Sequence, residues 1–143
     1  MTIAAILEKK GHEVVSISAD ATVRDAVALL AERRIGAVPV TDGGGIVAGI
    51  FSERDIVYRL HSDGADILDW PVRKVMTAPA ITAEPTMPAL VALSQMTKRR
   101  IRHLPVVENG RLTGIVSIGD LVAYRIRRIE DEAEAMRSYI QSA

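Results

Sequence analysis

Apolar positions along the chain follow two alternating rhythms. Val23, Ala26, Val27 and Leu30 recur at i, i+3, i+4 and i+7, the spacing of one helical face, and Ala89, Ala92, Leu93 and Met96 repeat it. Short β-rich runs surround each helix: 14–17 and 80–82 before it, 37–40 and 103–107 after it, then 46–51 and 112–116. A turn separates the last two runs of each set. It is Asp42-Gly43-Gly44-Gly45 in the first and Glu108-Asn109-Gly110 in the second, where Asn-Gly is a strong hairpin signal. Thr22 and Pro88 open the first helices, since threonine caps free N–H groups and proline's fixed φ suits a first turn. A second helix is predicted to start at Ser52 and at Ser117. Each half therefore predicts β-α-β-β-α.

The halves also align residue by residue. Residues 13–41 lie over 79–107 at a constant offset of 66, which puts Arg33-Arg34-Ile35 on Arg99-Arg100-Ile101 and Pro39-Val40 on Pro105-Val106. After the turn the offset is 65, and Gly49-Ile50-Phe51-Ser52 meets Gly114-Ile115-Val116-Ser117, with Asp55 on Asp120. The chain is a tandem duplication. Its expected parts are an N-terminal lead-in (1–12), repeat one (13–60), a linker (61–78), repeat two (79–125) and a C-terminal helical extension (126–143). The linker holds the one tryptophan, Trp70, expected as a packing anchor. Toward the C-terminus, Val122, Ile126, Ile129, Ala133, Met136 and Ile140 alternate by four and three residues, a narrow apolar seam on an otherwise charged helix. That seam is expected to pair with a second subunit, giving a homodimer.

Composition narrows the chemistry. Hydrophobic residues are 48% of the 143, yet aromatics only 3%, so the core is aliphatic. Lys plus Arg and Asp plus Glu number 18 each, which speaks against a general nucleic-acid binder. No apolar run approaches the ~18 residues of a membrane span. The first residues lack the features of a signal peptide, and the expected location is the cytoplasm. The absence of cysteine excludes disulfides and thiolate chemistry. His12 and His61 have no partner at metal-ligand spacing and are expected at the surface. No Ser-His-Asp set can be assembled, and Gly43-Gly44-Gly45 lacks the lysine and following helix of a phosphate loop. An enzyme such as a phosphohydrolase would need a metal or nucleophile constellation, so a non-catalytic protein is expected, with no required cofactor and no metal.

Two polar pairs stand at the strand-to-helix junctions: Ser52 with Asp55, and Ser117 with Asp120. Ser-x-x-Asp is first of all a capping box, and helix caps are commoner than binding sites. A cap, however, does not require the preceding glycine and apolar residues that both copies share. GIFSERD and GIVSIGD resemble the Gly-hydrophobic-x-Ser/Thr-x-x-Asp signature of CBS domains, and the β-α-β-β-α order and the Pro-Val strand match that family too. The resemblance spans about 13–60 and 79–125. It implies an α/β (α+β) fold in which tandem repeats pack about a pseudo-twofold axis and leave two clefts.

The resemblance also implies roles. Asp55 and Asp120 would accept ribose hydroxyls, with Ser52 and Ser117 near ribose or phosphate. A carboxylate suits a vicinal diol, and a helix N-terminus favours nearby negative charge. Arg33, Arg34, Arg99 and Arg100 are explained as solvated helix ends. Arg102 and His103 instead enter a strand, and IRHLPVV is similar to the family's nucleotide-facing strand, whose basic residues meet phosphate. The expected copy-two site adds Ile101, Pro105, Thr82 and Ala83. The copy-one site would hold Ile17, Ala37 and Pro39 with Ser52 and Asp55. Because copy one has Gly36-Ala37 where copy two has Arg102-His103, its site is expected to grip phosphate less firmly. The implied function is regulatory: an adenine nucleotide, AMP first and otherwise ADP, ATP or NAD(H), binds in a cleft and its occupancy is passed to an unidentified effector protein. The alternatives are a sensor of an S-adenosylmethionine-type ligand and an oligomerisation adaptor with empty clefts.

Overall fold

The computed structural model describes residues 1–142. Along them run α1 (Ile3–Lys10), β1 (Ile17–Ser18), α2 (Val23–Arg33), β2 (Ala37–Asp42), β3 (Ile46–Ser52) and α3 (Glu53–Asp63), then α4 (Val72–Val75), α5 (Ala89–Arg99), β4 (His103–Glu108), β5 (Arg111–Ser117) and α6 (Ile118–Ser142). The apolar faces read from the sequence are the buried ones. α2 buries Val23, Ala26 and Leu30, and α5 buries Ala89, Ala92 and Met96. Thr22 caps α2 by accepting the Asp25 N–H at 3.1 Å. Both helices stop at an arginine in the left-handed region, Arg34 at φ 53° and Arg100 at φ 54°.

The strands form one mixed sheet in the order β1-β2-β3-β5-β4, and the fold is mixed α+β. β1 runs parallel to β2, and the remaining neighbours are antiparallel. The ladder joining the two halves is the single pair Ile46–Arg111. Register repeats across it: Ala37 pairs Ser52 as His103 pairs Ser117, with matching irregularities at Val40/Thr41 and Val106/Val107. The first runs are shorter than expected. The 14–17 run forms strand only at Ile17–Ser18, and 80–82 forms none. In its place Ala83 alone bridges Val106, because Pro79 and Pro85 bound the segment and lack the N–H a longer ladder needs.

Each repeat has its own core, and each core is completed by the other repeat's leading segment. Ile3, Ile6 and Leu7 of α1 lie in the core of repeat two with Met96, Leu104, Val106 and Leu121. Ile67 and the α4 residues Val72 and Val75 lie in that of repeat one with Val23, Val38, Val40 and Phe51. Thr2 bridges Pro88, the residue before α5, as Pro71 bridges Thr22, the residue before α2. Trp70 packs half-buried against the repeat-one core, as expected of an anchor. Lys74 Nζ stands 3.7 Å from its ring centroid and the Arg59 guanidinium 5.7 Å, both within cation–π range. α6 buries Leu121 and Tyr124 near its start. The remainder of its apolar stripe is uncovered in this chain, with Val122, Ile126, Ile129, Met136 and Ile140 between 42% and 66% exposed.

Candidate functional site

Strand β3 ends at Ser52, whose backbone N–H donates to Asp55 Oδ2 at 2.9 Å while its Oγ accepts the Asp55 N–H at 3.4 Å. Ser117 and Asp120 repeat this at the end of β5, at 2.8 and 3.1 Å. Both motifs are therefore capping boxes. Capping engages Oδ2 of each aspartate, so the cap leaves acceptor capacity on the carboxylate. Asp55 Oδ1 accepts the Thr77 hydroxyl at 2.9 Å, and Asp120 Oδ2 also takes Lys10 Nζ at 2.6 Å.

A cleft of about 400 Å³ opens beside the first motif. Its wall from repeat one is Gly36 and Ala37 at the start of β2, Ile50 and Ser52 on β3, and Glu53, Arg54 and Asp55 at the start of α3. Facing these are Thr77, Pro79, Ala80 and Ile81, and then Arg100, Ile101, Arg102 and His103 leading into β4. The floor is apolar (Ala37, Ile50, Ile81 and Ile101) and the rim is charged. Arg54, Arg100 and Arg102 outnumber Glu53 and Asp55, so a neutral His103 leaves one positive charge in excess.

The two repeats meet here directly. Arg54 Nη1 reaches the Arg100 carbonyl at 3.4 Å, and a methyl built on Gly36 would lie 3.7 Å from His103 Cε1. Burial holds the His103 imidazole below its ordinary value; Lys10 depresses it further, Asp120 opposes this, Arg102 adds to it and Glu53 opposes. On Asp120 burial pushes the other way, up, but the hydrogen bonds from Lys10 and Ser117 outweigh it and hold the carboxyl below the usual range.

Of the residues singled out from the sequence, Ser52, Asp55, Ala37, Ile101, Arg102 and His103 line this one cleft. The cleft adds a grouping that the expectation lacked. Arg102 and His103 were assigned with Ser117 and Asp120, and His103 does pair with Ser117 while the Ile118 N–H donates to the Arg102 carbonyl at 2.8 Å; both also stand across the cleft from Ser52 and Asp55. The pseudo-twofold packing sets the strand start of one repeat against the helix start of the other, so the copy-one motif is not short of cations. Ser117 and Asp120 belong to the symmetry-related junction. Pro39 and Pro105 are buried mid-strand opposite Ile50 and Ile115. Ile17 packs against the repeat-one core, Ala83 is buried in that of repeat two, and Thr82 is half-buried beside it. His12 and His61 are exposed. Lining residues that escaped the sequence include Arg54, although it lies inside GIFSERD; Arg100, taken for a solvated helix end; and Thr77, which only the crossing of the linker brings to Asp55. Among the described residues no three His, Cys, Asp or Glu side chains are grouped to hold a metal.

The CBS-domain family model matches residues 7–62 and again 72–127. The chain is a CBS-domain pair. Proteins of this family are generally regulatory and non-catalytic modules. The pair is 34% identical to the CBS domain-containing protein YhcV of Bacillus subtilis, over 76% of each chain. It is 32% identical to the mitochondrial CBSX3 of Arabidopsis thaliana, over 98% of this chain and 72% of that one. A crystal structure of the CBS-domain protein ATU1752 from Agrobacterium tumefaciens superposes with a TM-score of 0.82 at 40% identity, covering 87% of this chain and 99% of the other. The CBS pair of MJ0100, solved with 5′-methylthioadenosine and S-adenosyl-L-methionine, shares the fold at TM-score 0.78 and 23% identity, covering 90% and 98%. No helix among the described residues is long and apolar enough to cross a membrane.

Proposed function

We propose that this CBS pair is a regulatory module that binds an adenosine nucleotide, AMP foremost, in the cleft between Asp55 and the arginines entering β4. One observation carries the reading: a ribose-type acceptor, Ser52–Asp55, and a cationic rim of Arg54, Arg100 and Arg102 share one apolar-floored cleft. Its ~400 Å³ falls in the range of small-molecule sites, ~300–1,000 Å³. Asp55 has the acceptor capacity for a vicinal diol, with the Thr77 hydroxyl able to turn aside. Arginine's planar fork suits phosphate oxygens. An adenine ring would lie against Ile81 and Ile101. A methylthioadenosine-like or S-adenosylmethionine-like ligand is a second reading, favoured by the ligands of MJ0100 and by the carboxylate of Glu53 on the rim. ADP, ATP and NAD(H) would place further phosphates along the same rim.

Occupancy would be passed to a separate effector protein by the chain acting as a homodimer, joined in part through the uncovered α6 stripe. Titration of AMP, 2′-deoxy-AMP, adenosine and S-adenosylmethionine into wild type, Asp55→Ala, Arg102→Ala and Arg34→Ala tests the binding reading. Asp55→Ala should cost ~1.5–3 kcal/mol of AMP binding, the scale of a charged hydrogen bond, and about 1 kcal/mol of stability as a lost cap. Arg102→Ala should weaken AMP more than adenosine, and Arg34→Ala should leave AMP binding as in wild type. Equal affinity for ribo and deoxy forms, or no binding of any adenosine compound, would remove the assignment.

A further inference from the structure

Lys10, the last residue of α1, reaches across to repeat two and makes two contacts there. Its Nζ lies 2.6 Å from Asp120 Oδ2 and 2.9 Å from the Ile115 carbonyl oxygen. Those acceptors correspond, at the offset of 65, to Asp55 and Ile50 in repeat one. There the partner is Thr77, whose hydroxyl donates to Asp55 and whose backbone N–H donates to the Ile50 carbonyl, each at 2.9 Å. The two junctions thus make the same pair of bonds with different chemistry. Repeat one uses a neutral hydroxyl on the carboxylate, and repeat two uses a full positive charge.

We propose that Lys10 makes ligand binding one-sided: its ammonium holds the carboxylate of Asp120 and leaves the Ser52–Asp55 cleft as the chain's adenosine site. The proposal rests on the reading of these aspartates as ribose acceptors. A diol that engages both oxygens of Asp120 has to displace Lys10 from Oδ2, exchanging a charge-assisted bond for a neutral one. The side chains of Lys10 and Asp120 are 34% and 26% exposed, so water screens the pair only in part. The hydrogen bonds that keep Asp120 below the usual carboxylate range report the same attraction. The surroundings agree. In the alignment of the repeats, Arg54 at the rim of the cleft corresponds to Gly119, and Pro79 to the anion Glu13. Lys10 is then the residue that sets how many ligands the chain takes.

Two measurements on the full chain test this. The first needs no ligand: acetylation by limiting acetic anhydride, read by peptide mass spectrometry. Lys10 should react several-fold more slowly than its exposed helix neighbour Lys9, and Asp120→Asn should abolish the difference. Equal rates in wild type would overturn the proposal. The second is calorimetric titration with AMP and with 5′-methylthioadenosine. Wild type and Lys10→Arg should bind one molecule per chain, Lys10→Met two, and Lys10→Met with Asp120→Ala one again. Two sites in wild type, or one in Lys10→Met, would refute it. A tenfold loss of affinity in Lys10→Met would make Lys10 a ligand contact and refute it as well. If neither probe binds any variant, the adenosine reading fails and the proposal falls with it, whatever the acetylation pattern.

Discussion

Gly49 and Gly114 occupy equivalent places on β3 and β5, and adding one methyl to each should have unequal consequences. At Gly49 the new carbon would lie 2.6 Å from the Thr77 carbonyl oxygen and 2.8 Å from Met76 Sδ. Unstrained contacts lie near ~3.5 Å, so the overlap with the backbone is close to an ångström. The thioether can swing away, but the carbonyl cannot. It accepts the Ile50 N–H at 3.0 Å, while the Thr77 N–H donates to Ile50 at 2.9 Å. Relief therefore requires loosening that bridge. At Gly114 the methyl would meet Leu7 Cδ1 at 2.9 Å and Cδ2 at 3.0 Å, the far ends of a side chain.

Overpacking costs ~1–3 kcal/mol, and each lost backbone hydrogen bond ~0.5–1.5 kcal/mol. The stiffer unfolded chain returns ~0.4–1 kcal/mol to either alanine. The expected net loss is ~3 kcal/mol for Gly49→Ala and ~1 kcal/mol for Gly114→Ala. With an m-value of ~2 kcal/mol/M, urea midpoints should fall by ~1.5 M and ~0.5 M at unchanged slope. The bridge also braces the cleft wall of Thr77, Pro79, Ala80 and Ile81, so Gly49→Ala should weaken AMP binding beyond its effect on stability, and Gly114→Ala should not. Equal midpoints, or a larger loss at Gly114, would show that the Thr77 backbone yields freely and that the linker does not brace the cleft.

Two further outcomes are expected. Because His103 is depressed in the folded chain, the unfolded chain binds its proton more tightly; the His103 contribution to stability should be intact above pH ~6.5 and decline as pH falls below it. His103→Gln should flatten the urea midpoint between pH 7.5 and 5.5, and an unchanged slope would show that His103 is not the group responsible. The uncovered α6 stripe should lie between subunits, so light scattering should find a dimer at ~10–50 μM and a shift toward monomer in Ile129→Glu with Met136→Glu. A monomeric wild type at those concentrations would refute the pairing.

The sequence made legible what depends on neighbours in the chain. α2 and α5 showed through their i, i+3, i+4 faces because each lies against a single core, and the Ser-x-x-Asp caps showed because a cap is three residues long. The leading segments were opaque for the opposite reason. Ile3, Ile6 and Leu7, like Val72 and Val75, are apolar because of a core that lies in the other repeat. The grouping of Arg102 and His103 with Ser52 and Asp55 was hidden in the same way, since alignment ties each motif to the strand of its own copy.

Duplication nonetheless separates fold from function at this site. Both repeats keep the serine–aspartate cap, the strand register and the irregularity after the Pro-Val pair, so those features satisfy a requirement the two halves share. Differences between equivalent positions cannot be owed to that requirement. Three of them surround the two aspartates: Thr77 against Lys10 on the carboxylate, Arg54 against Gly119 on the rim, and Gly36-Ala37 against Arg102-His103 where the repeats meet. The first leaves Asp55 the more available diol acceptor, and the second favours an anionic ligand at Asp55 over Asp120. The third places Arg102 and His103 on the cleft wall opposite Asp55. A fold that repeats itself is thus asymmetric at positions where a ligand would detect it.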